Sequence, residues 1–529
     1  MRRFPRVVLV IAVVLAVASR AAAQAVEFDA LSVTEINAAF DSGRLSSEQL
    51  VQLCLARIKA YDRQGPALRA IIALNPKALD TARALDAERR AKGRRSPMHG
   101  IPVVLKDNFD TFDMPTTGGS VLLEGSIPPD DAFVVKRLRD AGAIILAKVN
   151  MSEFASAAAM SSILGQSLNP HDLTRSPSGS SGGTGVSIAA AYAPIGLGTD
   201  TGGSIRGPAT SNGVAALKPT HGLLSRDGII PLALSFDTGG PFARNVADLA
   251  VALGVMTGVD VADAATKKSD GKFERDYTKY LNAGALKGAR IGVARDFMGA
   301  DPDVDWVMES SVEAMKKAGA TVVDVRFPKW LLDTRTEFYN AVRRPEFPPQ
   351  IAAYLATLGP KYPRNIGEMI ARAEAFTSPH GDQGPNPSRW SLFKREAESG
   401  SLDDPKYISV HDFILPAIRT VVEGVLAGQQ LDAIVYPTSS TRPGLIAAPA
   451  STGPAAPSAT NIANLTGFPD LIVPAGFTSD RLPVGMSFFG PAFSEPRLLG
   501  LGYAFEQATK ARRRPVTTPL LPGESVTIR

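Results

Sequence analysis

Histidine and cysteine are scarce in this chain, with five and one among 529 residues. His99, His171, His221, His380 and His411 are scattered, and neither a His-Glu-x-x-His pattern nor a cysteine pair occurs. A metal centre therefore lacks a ligand set in the sequence. The lone Cys54 excludes an intramolecular disulfide in any redox compartment. Leu50, Leu53 and Ile58 recur around it at helical spacing, which puts it on an apolar helix face as a buried, inert thiol. Neither glycine-rich stretch ends in Gly-Lys-Ser/Thr, which counts against a phosphate-binding loop. No lysine/arginine block interleaved with aromatics is present to grip nucleic acid.

Long apolar runs are equally rare. The exception is Val7 to Ala18, which follows the positive Met1-Arg2-Arg3-Phe4-Pro5-Arg6 and precedes Ala21-Ala22-Ala23. That order is a secretory signal peptide, and the run is shorter than the ~20 residues that span a bilayer. Residues 1–23 are expected to be removed on export, giving a secreted or periplasmic protein with no stable membrane insertion. The segment carries Arg2, Arg3, Arg6 and Arg20 and no acid, so its loss lowers the formal charge from +5 to +1. With 44% hydrophobic and 21% charged residues, the chain can bury a large core.

The mature chain opens with helices. Ser32 to Phe40 has an N-cap serine with Glu35 three residues on, and Ser46 to Tyr61 and Pro76 to Ala91 follow. From His99 short apolar runs alternate with helical segments: strands at Ile101 to Leu105, Ala143 to Ala147 and Ala215 to Lys218, helices at Phe133 to Ala141 and Val186 to Ala191. A second passage gives strands at Ala289 to Ala294, Ala320 to Val325, Leu431 to Tyr436 and Leu471 to Pro474. Helices there are Val304 to Ala318 and Arg497 to Ala511, the latter closed by a solvated Arg512-Arg513-Arg514 cluster. The alternation predicts an α/β sheet covered on both faces. Loops are expected at Thr377 to Arg389 and Pro437 to Ser458, neither strong enough to mark a second domain.

The chemistry concentrates in three places: Gly100-Ile101-Pro102-Val103-Val104-Leu105-Lys106, Gly179-Ser180-Ser181-Gly182-Gly183, and Gly198-Thr199-Asp200-Thr201-Gly202-Gly203-Ser204-Ile205-Arg206. A base, two serines and a run of backbone N–H donors can cleave an amide without histidine or metal. Gly179 to Gly183 also matches the Gly-x-Ser-x-Gly nucleophile elbow with Ser181 at its centre. The preceding Asp172 to Ser178 is loop-like rather than a strand, which disfavours that alternative.

These stretches, with Gly213 to Thr220, Gly240 to Arg244 and Leu482 to Met486, resemble the amidase signature family over roughly residues 30–510, most specifically at 99–245. The resemblance implies a single large α/β/α domain around a mixed twisted sheet, spanning 24–529. It implies Lys106 as base, Ser180 as relay held by a cis Gly179–Ser180 bond, and Ser204 as nucleophile. Thr201, Gly202, Gly203 and Ser204 would supply the oxyanion hole. Ser181 would support the relay, and Asp200 and Arg206 would form an ion pair fixing the loop. A lysine base must be neutral, and burial after an apolar strand would lower its pKa.

The implied reaction is hydrolysis of a small-molecule or peptide amide through an acyl-serine, with no cofactor, by a monomer or homodimer. Exported peptide amidases share the layout through Leu68 to Ile72 and Asn75 to Leu79. Esters and carbamates suit the same chemistry, and an amidotransferase-type subunit is the reading from another class. Pocket walls are expected from segments 114–120 and 330–400.

Overall fold

The structure, a computed structural model, describes residues 25–156, 160–376, 387–446, 456 and 458–527. The signal segment, His380 and the middle of the Pro437 to Ser458 loop lie outside the described residues.

Local signals set the first helices. Ser32 caps Val33–Asp41, and its side chain and Glu35 exchange bonds as a complete capping box. Ser46 and Gln49 do the same for Ser47–Tyr61, which buries Cys54 as expected. Burial pushes that thiol up to about 12.

One sheet carries the fold. Its strands in chain order are β1 Ile71–Leu74, β2 Pro102–Lys106, β3 Ile144–Val149, β4 Ile195–Asp200, β5 Ala215–Lys218 and β6 Thr238–Ala243. They continue with β7 Arg290–Ala294, β8 Thr321–Val325, β9 Ala433–Pro437, β10 Asp470–Phe477 and β11 Pro483–Phe489. The spatial order is β8-β7-β9-β11-β10-β5-β6-β4-β2-β3-β1. The sheet is mixed: β4, β2 and β3 run parallel, whereas β6 is antiparallel to both β4 and β5. Helices Gly182–Ala189 and Arg206–Ser211 pack together against one face, Val246–Met256 and Glu495–Thr509 against the other. Every residue of β2, β3 and β4 is buried, as a sheet covered on both faces requires.

Two features go beyond the expectations above, and a third corrects one. The glycine-rich sequences of β4 and β6 do not mark them as strands, yet they pair over six residues, with Asp200 opposite Thr238. Lys329–Leu355 is one long helix despite Pro345, Pro348 and Pro349 inside it. The Arg512–Arg514 cluster is not merely solvated: Arg514 binds Asp29 at 2.6 Å and also Glu27, beside the pairing of Ala25–Glu27 with Ser525–Thr527.

Candidate active site

Lys106 is the last residue of β2 and is fully buried. Its Nζ lies 2.7 Å from Ser180 Oγ, 2.7 Å from Thr199 Oγ1 and 3.3 Å from the Thr199 carbonyl. Asn108 donates to the same Thr199 hydroxyl at 3.0 Å. Burial pushes the Lys106 amine down to about 7, against the opposing pull of Asp200 and Asp237. The adjacent Asp107 faces elsewhere, 3.4 Å from Lys148 and accepting from Thr117 and Gly119. Residues 116–119 therefore serve that buried pair, and the cavity beside the glycine loop does not draw on segment 114–120.

The Gly179–Ser180 peptide is cis. Ser181 secures the next residues: its hydroxyl accepts from the Thr199 N–H at 3.3 Å and lies 3.2 Å from the Thr199 carbonyl. The Ser181 N–H donates to the Ser204 carbonyl at 3.2 Å, which brings half-buried Ser204 against the two-serine turn. Gly198 permits this approach, since a Cβ there would stand 2.7 Å from Ser181 Oγ and 2.5 Å from Phe242.

Asp200 closes the loop that follows β4. It accepts from the N–H groups of Gly203 at 2.8 Å and Ile205 at 2.9 Å, and pairs with Arg206 at 3.2 Å. Asn464 adds a donor at 2.8 Å. Burial alone would raise this carboxyl, but Arg206 and Asn464 hold it well below the carboxylate range. The Gly203 N–H is thereby turned to Asp200. This differs from the expectation for Gly203, whose N–H is already taken and is not available to an oxyanion.

Three residues near this loop were given no role by the sequence. Thr199 holds the lysine from β4. Asp237, 36 positions beyond Thr201, accepts a hydrogen bond from its hydroxyl. Tyr339, on the long helix, stacks on Phe236 and covers Gly202, where a Cβ would meet its hydroxyl at 2.6 Å. Segment 330–400 thus does reach the site, through Tyr339.

A cavity of about 310 Å³ opens beside Gly202 and Gly203, lined by Ser178, Ser211, Ser440, Thr441 and Thr460 among others. A larger surface hollow of about 860 Å³, walled by Trp306, Phe477 and Arg513, contains none of the residues above. Among the described residues no three His, Cys, Asp or Glu side chains gather as a metal site would need. No described helix is long and apolar enough to cross a membrane.

Comparison with known proteins bears on the family. A family model for Amidase matches residues 49–499. A glutamyl-tRNA(Gln) amidotransferase subunit from Chloroflexus aurantiacus is 38% identical over 498 residues, covering 92% of this chain and 98% of the relative. The peptide amidase of Stenotrophomonas maltophilia superposes with a TM-score of 0.82 at 39% identity, over 93% of this chain and 99% of that one. An amidase family protein of Bacillus anthracis gives 0.82 at 32% identity, over 92% of each chain. A match of this extent, on a mixed sheet that seats a buried lysine against a two-serine turn, places the chain in the amidase signature family of hydrolases.

Proposed function

We propose that this protein hydrolyses carboxamides through an acyl-serine intermediate, with Ser204 as nucleophile, Ser180 as proton relay and Lys106 as base. The observation that carries the reading is a fully buried amine, pushed down to about 7, ending 2.7 Å from the Ser180 hydroxyl. A neutral amine has two N–H donors and one lone pair. Thr199 offers its hydroxyl and carbonyl oxygens to the two donors, which leaves the lone pair for the Ser180 proton.

In the forward step the Ser204 oxygen bonds to the carbonyl carbon while its proton passes to Ser180 and the Ser180 proton to Lys106. Negative charge gathers on the carbonyl oxygen, facing the N–H groups of Thr201, Gly202 and Ser204. The ammonium returns a proton through Ser180 to the leaving nitrogen as the C–N bond breaks, releasing ammonia or amine. Water then attacks the ester and regenerates Ser204.

The test is release of ammonia or amine from a panel of amides and one ester by the mature chain. Wild type is expected to turn over and Ser204→Ala to lose at least ~10³-fold in kcat. Full activity in Ser204→Ala would return Ser181 to consideration. The amidotransferase reading needs a stoichiometric partner at purification, and turnover by the isolated chain would dismiss it. We further propose export, supported by the charge and apolar pattern of residues 1–23; intact-mass analysis of the exported protein should give a chain starting near residue 24.

A further inference from the structure

We propose that Asp237 is a positioning residue of this hydrolase, fixing the Thr201 end of the oxyanion loop. The inference rests on the hydrolytic reading above. Asp237 stands at the mouth of β6, one residue before the Thr238 that pairs with Asp200 across β4 and β6. Its two oxygens divide their work. Oδ1 accepts from the Thr201 hydroxyl. Oδ2 accepts from the N–H groups of Leu232 at 2.9 Å and Ala233 at 3.0 Å.

The carboxylate therefore joins the turn before β6 to the residue whose N–H faces the developing oxyanion. Asp200 fixes the far end of the same loop through Gly203, Ile205 and Arg206. Without Asp237 the Thr201 side chain loses its anchor, and the nearest oxyanion donor gains freedom that must be removed in the transition state. Asp237 is buried, and burial pushes its carboxyl up to about 6. Arg226, in the loop after β5, acts on this carboxyl, and Lys106 on β2 and Tyr339 on the long helix feel its charge alongside that of Asp200 on β4. Its negative form raises the Lys106 amine, opposing the effect of burial.

The test needs no known substrate: a fluorophosphonate labels an activated serine and draws on the same oxyanion donors, so its labelling rate at Ser204 can be read by mass spectrometry. Asp237→Ala and Thr201→Val should each slow labelling about 10- to 100-fold, with the double variant no slower than the slower single one. Thr201→Ser should recover at least about tenfold over Thr201→Val, because its hydroxyl restores the bond. Asp237→Asn removes the charge but can still bond Thr201, so the acid limb of its pH–rate profile should move to lower pH. Labelling by Asp237→Ala within threefold of wild type would overturn the proposal. So would multiplied effects in the double variant, or a lower final labelled fraction at an unchanged rate, which is a folding defect. Wild type left unlabelled at Ser204 would overturn the hydrolytic reading itself, a result distinct from labelling that ignores Asp237.

Discussion

Replacing Lys106 by Met should abolish turnover and yet stabilise the fold at neutral pH. The folded amine sits at about 7 because burial disfavours its charged form, whereas in the unfolded chain it titrates near ~10.4. At ~1.4 kcal/mol per pH unit, keeping this side chain folded at pH 7 costs ~4 kcal/mol. The sign follows from proton binding. Between about pH 7 and ~10.4 the unfolded chain holds a proton that the folded chain lacks, so stability rises with pH across that window. The cost is complete below about 7 and gone above ~10.4.

Methionine has similar length and no charge. It gives up the contacts to Ser180 and Thr199, worth ~1 kcal/mol each, while Thr199 keeps its bond from Asn108. The net expectation is a gain of ~2 kcal/mol at pH 7 that vanishes and reverses by about pH 10. Urea unfolding of wild type and Lys106→Met at pH 7 and pH 9.5 measures it, and contributions from the other buried lysines cancel in the difference. A Met variant less stable than wild type at pH 7, or a difference independent of pH, would refute the reasoning. Wild-type kcat/KM should also rise through an acid limb near pH 7, since only the neutral amine can take the proton.

Further predictions concern the loop and the core. Gly202→Ala would drive a Cβ to 2.6 Å from the Tyr339 hydroxyl and 2.9 Å from its ring, so kcat should fall ~10²-fold. Combining it with Tyr339→Ala should restore part of that loss, and an equally inactive double variant would exclude the clash as the cause. Asp200→Asn leaves the buried Arg206 with Asp470, at 3.5 Å, as its remaining carboxylate partner. A loss of ~3–5 kcal/mol is expected in urea unfolding, and a midpoint unchanged from wild type would count against the role given to this pair. Cys54, buried and pushed up to about 12, should resist a thiol-reactive disulfide reagent at pH 8 until the chain is unfolded.

Much of this architecture is legible in the sequence because its signals are local. Ser32 with Glu35 and Ser46 with Gln49 mark helix starts by chemistry that acts over three residues. The run Ile101 to Leu105 announces a buried strand, and with it the burial of Lys106. Strands β4 and β6 are hidden for a reason equally physical. Glycine is depleted in strands, so Ile-Gly-Leu-Gly-Thr-Asp reads as a loop. Here it is required by close approach: a Cβ on Gly196 would stand 2.7 Å from Thr184 of the packed helix, and one on Gly240 would stand 2.1 Å from the Leu217 carbonyl. With β4 hidden, so is Thr199. Asp237 and Tyr339 reach the loop from 36 and 138 residues beyond Thr201, a proximity that only the folded sheet and the long helix create.

The base proposed above shows what composition and burial leave undecided. Lys106, Lys148 and Lys218 are all fully buried, and burial lowers the pKa of each. Lys218 ends on the carbonyl oxygens of Pro219 at 3.0 Å and Phe468 at 2.9 Å, which can accept a proton contact but never deliver one. Lys148 lies beside Asp107 and contacts the Thr116 hydroxyl at 2.7 Å. That hydroxyl already donates to the Phe109 carbonyl at 3.2 Å, so it too can only accept. Lys106 differs in one respect. Its partner Ser180 donates to no other acceptor among the described residues, so the hydroxyl proton is free to point at the amine lone pair. A buried lysine becomes a base through this unpaired proton on its neighbour as much as through its own lowered pKa. Ser180→Ala should therefore nearly match Lys106→Met in lost turnover while leaving the pH dependence of stability in place, because the amine remains buried and keeps Thr199. Retention of more than about a tenth of wild-type kcat in Ser180→Ala would show that the proton reaches Lys106 by another route.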